Sequence, residues 1–126
     1  MNENKTLIVE YLEALSGKPK DAALVARYVS DSHLAEHIAT CEAAFPAYEL
    51  RTEDLIAEGN LVALRATFHG TQTGTFFGVA PTGRTVSVSI IILYRVEDKK
   101  IVQSWMEMNS SALMDQLSAQ AVPVKG

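Results

Sequence analysis

Two side chains have the types and positions that proton-transfer chemistry requires. His37 borders an apolar helical stripe, and an imidazole with a near-neutral pKa is a natural proton carrier. Glu107 lies in the last predicted strand, where an apolar pocket would raise its pKa and make it an effective base. The sequence therefore predicts general acid–base catalysis by Glu107 or His37, and an ordinary structural or surface role stays open for each.

The sequence gives little support for a metal-binding or nucleotide-binding site. His33 and His37 are four residues apart, a spacing that can chelate a metal on a helix, but no third ligand completes the set. Cys41 is the single cysteine, which excludes an internal disulfide and a cysteine-based zinc site. The glycine-rich stretch 70–83 lacks the Lys-Ser/Thr ending of a phosphate-binding loop. We expect no metal and no other cofactor.

The last predicted strand presents two different faces because side chains alternate along a strand. One face carries Trp105, Glu107 and Asn109, and the other carries Ser104, Met106 and Met108. Methionines adapt to varied ligands and suit the wall of an apolar pocket, and they suit an ordinary core equally well. The sequence does not decide which face lines a pocket.

Helices come first in the predicted order of elements. Apolar residues from Leu7 to Leu15, Tyr11 among them, mark one face of a helix. A second short helix begins at Asp21 and includes Tyr28, and a third begins near Ser32 and ends before Pro46.

Strands follow, at residues 48–57, 61–70, 84–96 and 101–108. Residues 58–60 form a hairpin turn, and Ser110 or Ser111 is expected to cap a last short helix. Helices followed by strands indicate an α+β fold, with the N-terminal helices packed on a curved antiparallel sheet. We predict one domain over residues 1–120 and a loose C-terminal tail over 121–126.

Composition supports a folded protein and excludes several classes. The 126 residues are 48% apolar and 21% charged, as in an ordinary single domain. The net charge of −4 does not suggest a nucleic-acid surface. The longest apolar run is far shorter than the roughly 20 residues of a membrane span, and the acidic N-terminal segment does not resemble a secretory signal. We expect a cytoplasmic protein that binds neither nucleic acid nor membrane.

The third predicted strand indicates a partner. Its second half, residues 90–94, is apolar on both faces, and such a strand needs a cover on each side. The helices supply one cover, and no further layer of this chain is left for the other. We therefore predict a homodimer through the sheet face, since two-fold dimers are the commonest oligomers.

Several stretches together resemble a known family. They are FPAYEL (45–50), EDLIAEGNLVA (53–63), GTQTG (70–74), PTGR (81–84) and KIVQSW (100–105). In this order and spacing they resemble the SnoaL-like polyketide cyclase ("ester cyclase") family of the NTF2-like superfamily, from roughly residue 28 to residue 117.

This resemblance implies a cone of helices around a bent antiparallel sheet, with an apolar pocket inside and a homodimer through the sheet. Members of the superfamily include cyclases that close a polyketide ring by an intramolecular aldol reaction, and enzymes that isomerise ketosteroids or open epoxides. They use a buried acid or a His–acid pair and no metal. The fold hosts many activities, so the activity must be argued from the site.

The sequence departs from the family in two stretches. At the last strand many relatives read His-Trp-x-x-x-Asp, whereas this chain has Ser104 and Trp105, with Asn109 in the acid's place. In the stretch 70–74, Gln72 stands where many relatives have a histidine. An amide can hydrogen-bond a substrate but cannot serve as a general acid or base.

These observations define the candidate site and two functions. The expected ligand-pocket residues are Tyr11, Tyr28, Phe68, Gln72, Trp105, Met106, Met108 and Asn109. The first function is a cyclase or isomerase that acts on a small hydrophobic, polyketide-, steroid- or ester-like molecule, with Glu107 or His37 as the base. The alternative is a non-catalytic protein that binds such a molecule or serves only for dimerisation.

Overall fold

The computed structural model describes residues 2–118, and its elements follow the predicted α+β order. They are α1 (Glu3–Leu15), α2 (Ala22–Tyr28), α3 (Ser32–Ala44), β1 (Glu49–Glu58), β2 (Leu61–Thr71), β3 (Thr85–Glu97), β4 (Lys100–Met108) and α4 (Ser110–Ser118). Strand and helix boundaries differ from the predicted ones by one or two residues. The tail predicted over 121–126 lies outside the described residues.

Each of the first three helices begins at an Asn or Asp side chain. The Oδ1 atom of Asn2 accepts a hydrogen bond from the backbone N–H of Asn4 at 2.8 Å, and Oδ1 of Asp31 accepts one from His33 at 3.1 Å. Asp21 caps α2 in the same way. Such caps satisfy backbone donors that have no partner inside the helix, so they fix where each helix starts.

The four strands form one antiparallel sheet in the order β1-β2-β3-β4. Its inner face, which the helices cover, carries the buried side chains Val62, Leu64, Ala66 and Phe68 of β2 and Val86, Val88, Ile90, Ile92 and Tyr94 of β3. Its outer face carries the alternate residues, among them Arg65, Ile91, Leu93 and Arg95. In β2 the buried apolar residues alternate strictly with residues of the outer face.

Two register shifts change which residues face inward. In β1 the pairing shifts between Thr52 and Asp54, so that Leu50 and Leu55 both point to the inner face although they are five residues apart. A second shift near Val96 has the same effect in β4, where Ile101 and Met106 are both on the inner face. An extra residue in one strand reverses the alternation on either side of it.

The helices close the inner face from several directions. α1 packs against β1 and β2, α4 packs against β3, and α2 contacts α3 and β4. Aromatic rings join these layers: the Phe45 ring meets the Phe68 ring edge-on at 5.3 Å, and the Tyr48 ring stacks on Phe68 at 5.0 Å. Among residues 2–118, no helix is long and apolar enough to cross a membrane.

A buried lysine ties the first helix pair to the sheet. Lys20 is 6% exposed, and its Nζ donates to the carbonyl oxygens of Lys18 and Tyr48, each at 2.8 Å, and to Oε1 of Glu42 at 3.2 Å. Burial lowers the pKa of Lys20, and the Glu42 carboxylate opposes that effect. All three ammonium donors have acceptors, so Lys20 is a structural cross-link that the sequence did not reveal.

Candidate functional site

A small cavity lies between the helices and the inner face of the sheet. Its volume is about 20 Å³, and its lining is almost entirely apolar or aromatic. The lining residues are Tyr11, Leu34, His37, Ile38, Cys41, Tyr48, Leu50, Phe68, Ile90, Ile92, Tyr94, Met106 and Met108. This volume suffices for about one water molecule.

A larger groove of about 300 Å³ opens to the surface next to this cavity. It is bounded by α3, by the connection between β2 and β3, by the end of β4 and by α4. The lining residues are His37, Phe76, Phe77, Met106, Glu107, Met108, Ser110, Leu113 and Met114. Three side chains, His37, Met106 and Met108, line both spaces, so they form the wall between the groove and the interior.

His37 is the titratable side chain of this wall. It projects from α3 and is half-buried, and its Nε2 lies 3.5 Å from the Sγ of Cys41, one helical turn later. Burial lowers the pKa of His37, and the nearby His33 lowers it further. The imidazole is therefore neutral near pH 7, the state in which it can accept a proton.

Cys41 is a poor nucleophile in this setting. Its side chain is buried within the cavity lining, and that burial raises the pKa of the thiol to about 12. The thiolate is the reactive form of cysteine, so a thiol with such a pKa stays protonated and unreactive near pH 7.

Three tyrosines, Tyr11, Tyr48 and Tyr94, place their rings in the cavity lining. The rings of Tyr11 and Tyr94 meet edge-on at 5.8 Å, and a side-chain hydrogen bond between their hydroxyls affects the pKa of both. Burial has the larger effect and raises the pKa of both hydroxyls, so both keep their protons and can donate hydrogen bonds. An acceptor that enters the cavity would compete with this mutual contact for a hydroxyl proton.

The structure resolves which face of β4 points inward. Met106 pairs with Ile92 and Met108 pairs with Ile90, so both methionines lie on the inner face together with Ser104. Trp105 lies on the outer face, where it is 43% exposed, and is not part of the cavity or groove. Glu107 is also exposed on the outer face, but it reaches the rim of the groove.

Gln72 has a structural position outside the cavity and the groove. It is fully buried in the β2–β3 connection, where its Nε2 donates to the carbonyl oxygens of Gly74 and Val79, each at 3.0 Å. Its Oε1 accepts from the backbone N–H of Thr82 at 3.1 Å. The loop also packs tightly on α3, since a Cβ on Gly74 would lie only 2.3 Å from the carbonyl oxygen of Ala43. Gln72 thus holds the loop that carries one side of the groove.

Asn109 begins α4. Its Oδ1 accepts a hydrogen bond from the backbone N–H of Ala112 at 3.0 Å, so the prediction that Ser110 or Ser111 caps this helix is wrong. The Asn side chain fits the cap because its oxygen reaches the third backbone donor after it.

The structure brings only part of the predicted pocket together. Tyr11, Phe68, Met106, Met108 and His37 share one cavity, whereas Tyr28 lies behind Tyr11, with its ring 5.9 Å away, and does not line it. Within the described residues, no group of three His, Cys, Asp or Glu side chains is placed to hold a metal ion.

Sequence reasoning missed Tyr94 and the aromatic pair Phe76–Phe77. A signal for Tyr94 was present, because it is the one hydroxyl on an otherwise aliphatic inner face of β3. For the aromatic pair no signal was available, since its place beside α4 depends on how the long connection folds.

Comparison with family models identifies one family. The sequence matches the SnoaL-like polyketide cyclase family over residues 12–117. No curated protein matches the chain significantly.

Solved structures share the fold. AclR of Streptomyces galilaeus, a suggested hydroxylase, is 27% identical to this chain. The match covers 98% of this chain and 85% of AclR, with a TM-score of 0.77. TsrD of Streptomyces laurentii is 24% identical over 94% of this chain and 98% of its own, with a TM-score of 0.77. A SnoaL-like polyketide cyclase of Agrobacterium tumefaciens is 21% identical over 93% of this chain and 99% of its own, with a TM-score of 0.75. Since the family match covers most of the residues and includes every strand, this chain belongs to the SnoaL-like polyketide cyclase family.

Proposed function

We propose that the protein binds a small, largely apolar carbonyl compound at the groove and that His37 moves a proton on it. The observation that carries this proposal is the shared wall: His37, Met106 and Met108 line both the open groove and the tyrosine-bearing cavity. A ligand at this wall contacts a neutral imidazole on one side and hydroxyl donors on the other.

Size decides between the groove and the cavity as the place where such a ligand binds. Sites for small molecules usually measure roughly 300–1,000 Å³. The groove, at about 300 Å³, meets the lower end of that range, and the cavity, at about 20 Å³, does not. A ligand that enters the groove can extend inward when Met106 and Met108 change rotamer, because methionine side chains are flexible.

The proposed chemistry is abstraction of a proton next to a carbonyl group. Neutral His37 takes the proton from the carbon, and the electron pair moves onto the carbonyl oxygen as an enolate. The protonated Tyr94 hydroxyl, which lies beside the Tyr11 hydroxyl in the cavity lining, donates a hydrogen bond to that oxygen. The enolate carbon can then attack a second carbonyl of the same molecule, which closes a ring, and the alkoxide that forms takes the proton back from His37, which is neutral again.

Non-catalytic binding is the second candidate, and one observation favours it. Within the described residues, no carboxylate lines the cavity, and the amides at the family's His and acid positions, Gln72 and Asn109, hold a loop and begin a helix. Without a carboxylate to orient it, His37 would serve only as a polar contact to the ligand.

A base-dependent probe reaction tests the proposal. The flat aromatic 5-nitrobenzisoxazole opens when a base removes the proton on its isoxazole carbon, which breaks the N–O bond and yields a coloured phenolate. We expect the protein to accelerate this reaction relative to free imidazole, and His37→Gln to lower the rate by about a hundredfold. The rate should rise with pH through a midpoint below 6.5, because burial lowers the pKa of His37.

His33→Gln is the matched control, since His33 is an exposed histidine on the same helix, and it should keep most of the rate. Equal losses in the two variants would contradict a specific role for His37. Binding of the probe, measured by displacement of 1-anilinonaphthalene-8-sulfonate, without any acceleration would support the non-catalytic alternative. Absence of both binding and acceleration would contradict both candidates.

A further inference from the structure

We propose that Phe77 is a specificity-determining residue of the groove: its ring covers one face of the bound carbonyl compound and selects a flat, aromatic molecule over a saturated one of the same size. This inference rests on the proposed function for the place of the ligand. It concerns how tightly a molecule binds there, and not whether His37 moves a proton on it.

Phe77 is a large apolar side chain that the fold leaves in water. It is 70% exposed, the highest value among the large apolar side chains that the structure describes, and it lines the groove. Its neighbour Phe76 is 5% exposed and packs inward, where its ring meets the Phe45 ring at 5.2 Å. Folding therefore uses the first ring of the aromatic pair and gains little from the second.

The Phe77 ring keeps a free face. It meets the Phe76 ring in an edge-on arrangement, with 4.6 Å between the ring centres and 72° between the planes. In such a contact the edge of one ring meets one face of the other, so at least one face of Phe77 is not occupied by Phe76. A ligand in the groove can stack on that face.

The backbone of Phe77 is strained. Phe77 and Gly78 are the central residues of a tight turn, which is closed by hydrogen bonds in both directions between the backbones of Phe76 and Val79, at 3.0 and 2.8 Å. Both central residues have a positive φ, +43° and +84°, as in a type I′ turn, where Asn followed by Gly is preferred. A bulky aromatic residue in this conformation is rare and costs free energy. Neither the turn nor the core therefore accounts for an aromatic ring at position 77.

The turn is anchored, so the ring is held beside the groove before a ligand arrives. The Nε2 atom of buried Gln72 donates to the carbonyl oxygen of Val79 at 3.0 Å. Where the connection leaves β2, the backbone N–H of Thr73 donates to the carbonyl oxygen of Ala44, the last residue of α3, at 2.9 Å. A contact group that is already in place loses little conformational entropy on binding, which favours affinity.

The remaining apolar lining of the groove also favours an aromatic ligand. Apart from the two phenylalanine rings it consists of Leu113, Met106, Met108 and Met114. Stacked or edge-on aromatic pairs gain free energy beyond the burial of their surface, and methionine sulfur makes favourable contacts with aromatic rings. A saturated ring system of the same size gains only the burial. The groove should therefore distinguish the two kinds of molecule.

Two ketones that differ only in saturation test the role of the ring. They are 2-acetylnaphthalene, which is flat, and its saturated analogue 2-acetyldecalin, and isothermal titration calorimetry gives their Kd values. We expect the wild type to bind the flat ketone roughly five- to tenfold more tightly, as an aromatic contact allows. In Phe77→Leu, which keeps an apolar side chain, the ratio should fall to within about twofold. Phe77→Trp should retain the preference.

Phe77→Asn separates binding from folding. It places the preferred Asn before Gly78, so we expect the Tm to rise by roughly 2–5 °C while the Kd for 2-acetylnaphthalene increases about tenfold. A residue with a merely structural role would show a lower Tm in this variant. Higher stability together with weaker binding is typical of a residue kept for function.

Val9→Asn is the matched control, since Val9 is an exposed apolar residue of α1 outside the groove lining, and it should leave both Kd values unchanged. Equal binding of the two ketones by the wild type, or a preference that survives in Phe77→Leu and Phe77→Asn, would overturn the role of Phe77 and leave the proton chemistry of His37 untouched.

Failure of the proposed function gives a different result. A preference that depends on Phe77, in a protein whose probe reaction is unaffected by His37→Gln, would contradict the proton chemistry and support the inference drawn for Phe77. Absence of binding of either ketone to the wild type would overturn the role of Phe77 together with the groove as the binding site.

Discussion

Ile91 and Ile92 are neighbours in β3 and have the same side chain, but they meet opposite surroundings. Ile92 is 2% exposed beneath the helices, whereas Ile91 is 52% exposed on the outer face. The two faces of the sheet differ in the same way throughout: the inner face is packed against aromatic and aliphatic side chains, and the outer face joins exposed apolar residues to charged ones. Apolar residues of β3 therefore have two settings, a buried one on the inner face and a solvent-exposed one on the outer face.

The largest expected difference comes from truncating these two isoleucines. Ile92→Ala should lower the free energy of unfolding by about 2–5 kcal/mol, because it removes packed methyl groups and leaves a void. Ile91→Ala should lower it by less than about 1 kcal/mol, since its side chain is already half in water. Urea denaturation at a protein concentration low enough to exclude self-association measures both changes. Similar losses in the two variants would mean that the outer face is covered within the monomer.

The next largest difference in unfolding free energy should be between breaking a buried ion pair and breaking an exposed one. Glu42→Gln leaves the buried Lys20 ammonium without its carboxylate and should cost about 1–3 kcal/mol. Asp54→Asn breaks an ion pair with Arg65 whose side chains are both more than half exposed, and it should cost no more than about 0.5 kcal/mol. Chemical denaturation at pH 7 gives both values. A larger loss for Asp54→Asn than for Glu42→Gln would contradict the structural role assigned to Lys20.

The smallest effect is the pH dependence that His37 adds to stability. Burial lowers its pKa in the folded protein, so between that lowered pKa and the ordinary value near 6.5 the unfolded chain binds more protons. Stability should therefore rise with pH across this window and stay constant, as far as His37 is concerned, above it. Unfolding free energies measured between pH 5 and pH 7.5 should show this rise in the wild type and a smaller one in His37→Gln. An unchanged slope would mean that His37 is as solvated as in the unfolded chain.

Much of the fold could be predicted from local patterns. The helices follow from apolar residues at helical spacing and from Asp and Asn caps, and β2 keeps one strict alternation from Val62 to Phe68. The orientation of β4 could not be predicted, because the register shift near Val96 places both Ile101 and Met106 on the inner face. An irregularity of that kind depends on the partner strand, and the sequence of one strand does not reveal it.

The site was predicted less completely than the fold, for a related reason. His37, Tyr11, Met106 and Met108 could be named because each belongs to a periodic element whose apolar side is visible in the sequence. Gln72 is a buried polar residue whose partners are backbone groups of its own loop, and such partners are known only once the loop is folded. Lys20 escaped notice for the same reason, since two of its three acceptors are backbone carbonyls.

The register shift in β1 also bears on how the protein avoids aggregation. β1 is an edge of an open sheet, and an edge with free backbone donors and acceptors can recruit strands from other molecules. The irregularity between Thr52 and Asp54 interrupts the flat pairing surface, and the exposed charges of Arg51 and Glu53 stand beside it. At the opposite edge, Val29 bridges to Ile101 and occupies part of the border of β4. Both borders of the sheet thus carry features that obstruct the sideways addition of strands from other molecules.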